Sequence, residues 1–263
     1  MNSKRSWTLA ASVPALSALL LLAGCNKKEN TEQSTNRTAE QQAAPTATPI
    51  DPATVATVNG TVKFDGAAPK PRKIDMSADS ACKGLNASEN VVVEGDDLAN
   101  VFVYVKDGLG NRTFDVPQDA VVLVQQGCKY HPHVLGVMAG QNVEIRNADL
   151  TTHNIHPSPK DNREWNDSQP PSSNPLKRSF AREEIMLPVK CNQHPWMKMY
   201  INVVKSPFYA VTDNSGKYDI TGLPPGTYTI AFVQEILGEK DQQVTVGPKE
   251  TKTVDQTFKA SGE

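Results

Sequence analysis

Two stretches decide the reading of this chain: VKCNQHPWM at residues 189–197 and VEIRNADLTTHNIH at residues 143–156. In the first, the strand-like Ile185–Lys190 runs into Cys191, and a Val-rich run resumes at Tyr200–Val204. Residues 191–197 therefore form a tight loop between two strands. In the second, Val143 and Ile145 alternate, Asn147 to Asp149 turn the chain, and His153 opens the next strand. A loop that short brings Cys191 and His194 onto one point, with Met197 able to close from below. A second imidazole, His153, must arrive from a strand end far away in sequence.

Outward from these stretches the pattern stays β. Apolar residues occur in short runs or alternations at Val58–Phe64, Val91–Val93, Val101–Val105, Val121–Val124 and Ile201–Val203. Asp65-Gly66, Asp107-Gly108, Asn214 to Gly216 and Pro224 to Gly226 punctuate them. Beyond the N-terminal segment, no window of eleven residues keeps a 3.6-residue apolar period, so the expectation is an all-β chain of sandwiches or barrels. The polar, Pro-rich Ser158–Ser179 reads as a long surface loop pinned by Trp165. Aromatic residues are 6% of the chain, so the core rests on Val, Ile, Leu and Ala. A net charge of −2 excludes a strongly basic nucleic-acid binder.

The N-terminus has a different character. Residues 1–24 carry Lys4 and Arg5, then an apolar run from Val13 to Leu22 too short and interrupted for a transmembrane helix. The run ends in Leu22-Ala23-Gly24-Cys25, which resembles the lipobox of bacterial lipoproteins. That resemblance implies cleavage before Cys25, acylation of Cys25, and an exported protein tethered to a bacterial membrane, in the periplasm or at the cell surface. Anchoring of this kind needs more than one acyl chain. Residues 25–54 contain Ile50 as their one large aliphatic side chain and no aromatic, so they read as a disordered tether spanning roughly 30 Å.

The chemistry gathers at the opening stretches. One thiolate, two imidazoles and a thioether make the donor set of a mononuclear copper centre, with a long, weak thioether bond along the axis. A zinc site using Cys191, His194 and His153 would leave the methionine without a role. A thiol nucleophile is disfavoured, because a Cys and a His three apart on one loop suit a shared metal better than an attack geometry. No Gly-x-Ser-x-Gly, His-Glu-x-x-His or phosphate loop appears, so the chain does not read as an enzyme. His131 and His133 look like the His-x-His of multicopper oxidases, but Lys190 and Asn192 flank Cys191 where those enzymes have histidines. His131, His133 and His156 are therefore read as structural or surface residues.

At these positions the sequence resembles the cupredoxins, most closely those of the amicyanin type. The resemblance covers roughly residues 120–205 and lies in the strand, turn and first histidine of residues 143–156 and in the Cys-x2-His-Pro-aromatic-Met loop. It implies a Greek-key β-sandwich binding one type 1 copper ion, with His153, Cys191 and His194 as equatorial ligands and Met197 as the axial one. Met199, at His-x4-Met spacing, is the alternative axial ligand of the plastocyanin-type loop. Asn154 follows the first ligand, where the family often turns a backbone N–H toward the sulfur. The implied function is single-electron transfer, with c-type cytochromes or a periplasmic dehydrogenase as redox partners. A copper carrier or sensor, or a structural interaction lipoprotein with a vestigial site, are the other readings of these residues.

A second resemblance lies in residues 212–230, which look like the carboxypeptidase regulatory-like, or transthyretin-like, β-sandwich. Tyr218 and Ile220 alternate inward there, between the Asn214 to Gly216 and Pro224 to Gly226 turns. Asn59 to Val62 supplies the Gly-x-Val strand with which such modules begin. The simplest organisation is a sandwich of residues 55–110 plus 206–260 with the copper domain, residues 111–205, inserted between its halves; a copper domain followed by a second small sandwich is the alternative. With Cys25 acylated and Cys191 on metal, Cys82 and Cys128 remain, and in an oxidising compartment they are expected to form a disulfide tying the outer sandwich to the copper domain.

Overall fold

A computed structural model describes residues 46–83 and 87–260. The export segment, Cys25 and most of the tether lie outside the described residues. Among the described residues every regular element is a strand, and the chain is all-β. Its strands form two sandwiches within one compact unit.

The outer sandwich is built from the two ends of the described chain. Its first part is β1 (Ala56–Asp65), β2 (Val93–Glu94), β3 (Asp97–Leu98) and β4 (Phe102–Asp107). The chain then makes nine strands elsewhere and returns with β14 (Tyr209–Val211), β15 (Lys217–Leu223), β16 (Gly226–Gln234), β17 (Gly238–Val246), β18 (Thr251–Thr253) and β19 (Gln256–Lys259). β1 pairs antiparallel with β15, Val58 opposite Ile220, and parallel with β18 and β19. The facing sheet runs β14-β4-β16-β17. Alternation fills the space between: Val58, Val62, Phe64, Val103, Val105, Tyr218, Ile220, Ile230 and Phe232 are all buried in one cluster. Of the run Val91–Val93 only Val93 reaches a strand, because β2 is two residues long.

The inner sandwich comprises β5 (Val121–Gln126), β6 (Lys129–His131), β7 (Val134–Met138), β8 (Val143–Asn147), β9 (His153–Pro157), β10 (Asp167–Gln169), β11 (Leu176–Arg178), β12 (Glu184–Lys190) and β13 (Lys198–Val204). One sheet runs β10-β9-β12-β13-β7 and the other β11-β8-β5-β6. Each contains a parallel pair, β7 with β13 and β5 with β8, so the chain crosses between sheets rather than meandering. The two sandwiches meet at Phe102, Val134 and Val204, with Tyr209 packed on them. Gly136 in β7 is required there, since a Cβ would sit 2.4 Å from the Tyr209 ring.

Three expectations change. Ser158–Ser179 is not a bare loop: it holds β10 and β11, which pair with β9 and β8 at the sheet edges. Strands of three residues with one face in water carry too few apolar side chains to announce themselves. Trp165 does pack inward, beside Phe180 and under Arg178. The end of the tether is also part of the fold. Thr48 and Thr113 exchange hydrogen bonds, and Ile50 packs on the outer core, the one place its side chain leaves water. Finally, the Cys82–Cys128 disulfide is present, but Cys82 does not belong to the outer sandwich. Its segment leaves that sandwich after β1 and buries Met76 and Cys82 in the inner core.

Candidate metal centre

The β8–β9 turn is built by side chain to backbone bonds. The Asn147 amide donates to the carbonyls of Thr151 and Gln169, both at 2.8 Å, and its oxygen accepts the N–H of Asp149 at 3.0 Å. This Asx-type turn delivers His153, fully buried, to the start of β9, opposite Gln169 of β10. In the same sheet, β12 pairs with β9 and ends at Lys190, and β13 begins at Lys198. The loop between is closed by Met197 N–H to the His194 carbonyl at 2.9 Å and Cys191 N–H to the Met197 carbonyl at 3.3 Å. Trp196 stacks beside the His194 ring and donates its indole N–H to the Cys128 carbonyl at 3.2 Å. Within the loop Asn192, Gln193 and Pro195 face water, while Cys191, His194 and Met197 are buried.

Three donor atoms converge there. His153 Nδ1 lies 2.9 Å from His194 Nδ1, and Cys191 Sγ lies 3.7 Å from His194 Nδ1. Both distances are spans that a single ion bridges with bonds of about 2.0 Å to nitrogen and about 2.3 Å to sulfur. Each ring's other nitrogen meets a carboxylate: His153 Nε2 and Asp149 Oδ2 are 2.8 Å apart, His194 Nε2 and Asp79 Oδ2 3.0 Å. A carboxylate only accepts, so each Nε2 carries the hydrogen and each Nδ1 presents a lone pair to the centre. Two lone pairs at that separation, next to a thiol sulfur, form a poor arrangement for neutral rings and a good one for a shared cation. The donor set fits a metal ion.

The surroundings support the same geometry. Asn154 donates its backbone N–H to Cys191 Sγ at 3.3 Å, and Tyr130 donates its hydroxyl to the Asn154 carbonyl, in the following peptide. Burial pushes the Tyr130 phenol up, with the Cys191 charge adding to it, so it stays a donor. Burial lowers the His153 pKa against the opposing pull of Asp149. The Thr151 hydroxyl, the Ala81 N–H and His194 hold the Asp79 carboxyl down at about 2. Beneath the site, Gln125 donates to Gln169 at 2.6 Å, and Gln169 donates to the Ile145 carbonyl at 3.0 Å.

The structure thus brings His153, Cys191 and His194 together and puts Met197 in the same loop, buried. Met199 lies in β13 opposite Val189, packed in the inner core. Cys82 and Cys128 form a disulfide whose sulfurs lie within 4.8 Å of a His194 ring nitrogen. The remaining histidines stand apart from the centre. His131 is exposed and bonds the Gln126 carbonyl, His133 pairs with Glu235 at 3.1 Å, and half-buried His156 sits between Asn192 and Glu164. Nothing in the sequence marked Asp79. Asp149 stood within the quoted turn, four residues before His153, and that spacing was its only mark.

No family model and no curated protein matches the chain. Among solved structures, a Cu-containing nitrite reductase from Thermus scotoductus is similar at 19% identity and a TM-score of 0.31, covering 37% of this chain and 25% of that one. The chain therefore spans about a quarter of that enzyme's length. A purple cupredoxin from Nitrosopumilus maritimus gives 21% identity and a TM-score of 0.28 over 32% of this chain and 99% of its own. An oxidized amicyanin variant gives 17% and 0.30 over 38% and 97%. Scores of this size leave the site to be judged on its own atoms.

Proposed function

We propose that this chain is an exported lipoprotein, anchored through Cys25, whose inner sandwich holds one type 1 copper ion and passes single electrons between protein partners. The observation that carries the reading is the buried convergence of Cys191 Sγ with the two Nδ1 lone pairs of His153 and His194. Thiolate and imidazole suit copper in both of its oxidation states, and bound copper would supply one-electron exchange at that point. In this reading His153, Cys191 and His194 would hold the ion.

The rest of the chemistry belongs to the chain. Asn154 N–H stabilises charge on the sulfur, and Tyr130 holds the same residue through its carbonyl. Asp149 and Asp79 hold the two rings in one tautomer, so the donors need little rearrangement when the metal's charge changes. Met197 would supply the thioether donor. What supports it over Met199 is register, since Met197 lies inside the ligand loop and Met199 in the strand after it. In this reading the chain is an electron carrier. Its partners are redox proteins such as a c-type cytochrome or a periplasmic dehydrogenase.

The test is the visible spectrum of the Cu(II)-loaded protein. An intense thiolate-to-copper band, lost in Cys191→Ser and bleached reversibly by reduction, is expected. Stoichiometric Cu(II) without colour overturns the reading. Electrochemistry then separates the methionines: Met197→Leu raises the reduction potential and Met199→Leu leaves it near the parent value.

A further inference from the structure

We propose that Asp79 is the positioning residue of His194, and that the Cys82–Cys128 disulfide holds it there. The proposal rests on the reading of His153, Cys191 and His194 as metal donors. Asp79 sits on a turn that belongs to neither sandwich's sheets. Its carbonyl accepts the Cys82 N–H at 3.0 Å and its Oδ1 accepts the Ala81 N–H at 2.8 Å. Its Oδ2 takes both the His194 Nε2–H at 3.0 Å and the Thr151 hydroxyl at 2.6 Å. One carboxylate oxygen therefore touches both loops that carry the imidazoles.

The disulfide closes this arrangement into a ring of contacts. Cys82 follows Asp79 by three residues and is bonded to Cys128, with a Cα–Cα distance of 5.4 Å. Cys128 lies at the tip of the β5–β6 hairpin, where Gly127 and Cys128 both have positive φ, 61° and 55°, as a two-residue turn of this kind requires. Their N–H groups donate to Asp149 at 2.7 and 2.8 Å, and Asp149 holds His153. The covalent bond thus joins the two carboxylates that grip the two rings. Asp149 needs little help, being four residues from its histidine. Asp79 is 115 residues from His194, and the tether is what brings it there.

Two effects follow. A carboxylate on an imidazole N–H fixes the tautomer and raises the basicity of the other nitrogen, which favours the more highly charged metal. The turn also covers the ring: His194 is 3% exposed although its loop neighbours Asn192, Gln193 and Pro195 face water.

The experiment uses the full chain as wild type, Asp79→Ala, Asp79→Asn and the Cys82→Ser, Cys128→Ser double variant. Exchange of the His194 Nε2 proton is read by NMR in the Zn(II)-loaded protein, and the Cu(I)-to-Cu(II) affinity ratio by chelator competition. Asp79→Ala is expected to speed exchange and raise the ratio at least tenfold, the latter being about 59 mV for a one-electron couple. Asp79→Asn keeps an acceptor without the charge, so the proton stays protected while the ratio still rises. A residue needed only for folding would leave the ratio unchanged in that variant. The double variant should exchange as fast as Asp79→Ala. Exchange and ratio within twofold of wild type in Asp79→Ala overturn the positioning role, and wild-type protection in the double variant overturns the tether. A colourless Cu(II) form of the wild type would sink the proposed function, while proton exchange in the Zn(II) form would still decide the role of Asp79.

Discussion

The two sandwiches solve the same packing problem with different interiors. The outer one buries mainly Val, Ile, Leu and Phe side chains; its few buried polar groups, Thr212, Gln234 and the hydroxyls of Tyr218 and Tyr228, bond to backbone. The inner one buries Gln125, Gln141, His153, Gln169, Glu184, His194 and Asn202 among its hydrophobic residues. A buried polar group left unpartnered costs about 1–3 kcal/mol, so each of these needs a fixed partner. Apart from those few groups the outer interior needs only to fill space. The inner one is constrained atom by atom, which is what presenting three donors to one point requires.

The largest test of this difference is truncation. Removing the chain from Ser206 onward strips β14–β19, which supply the pairing partners of β1 and β4. Hydrogen-exchange protection should vanish across residues 56–107 and persist in β5–β13, whose pairings are internal. Loss of protection in both regions would mean that the interiors stand or fall together. Next in size is Phe232→Ala in the outer core, fully buried, expected to cost about 3–5 kcal/mol in urea denaturation. The metal-bound spectrum under native conditions should be unchanged, because Phe232 belongs to the other cluster.

A polar deletion in the inner core probes the converse. Gln169→Ala leaves the Gln125 amide and the Ile145 carbonyl without their buried partner and should cost about 1–3 kcal/mol. Because Gln169 is opposite His153, the variant should also weaken metal affinity, which Phe232→Ala should not. The smallest effect is on pH. Burial pushes the Glu184 pKa up, but the N–H groups of Lys160, Asp161 and Asn162 and the Asn162 amide together outweigh it, and the pKa lies below the ordinary value. The ionised form is therefore favoured by folding. This stability is present above the ordinary glutamate range and is lost as pH falls through the lowered value. Glu184→Gln should flatten that acid limb of the denaturation midpoint against pH.

The residues most easily read were those whose meaning is local. A strand declares itself by alternation over five or six positions, and Tyr218 and Ile220 point inward as their spacing demands. β10 and β11 escaped because three-residue edge strands bury too little to impose a pattern. The placement of Cys82 escaped for another reason: the described residues of its segment form an isolated Lys73–Ala87 bridge but no named strand, and it takes its position from the inner core and from Cys128.

By itself the sequence determined the all-β class, the turns, and the close approach of Cys191 and His194, since all of these are set by neighbours within a few residues. Tertiary structure alone decided which sandwich receives the Cys82 segment, which carboxylate meets His194, and that both rings turn Nδ1 to the centre. Those outcomes depend on groups 41 to 115 residues apart meeting at hydrogen-bond distance. No local propensity encodes such a meeting; it is fixed only when two cores and a disulfide have closed around it.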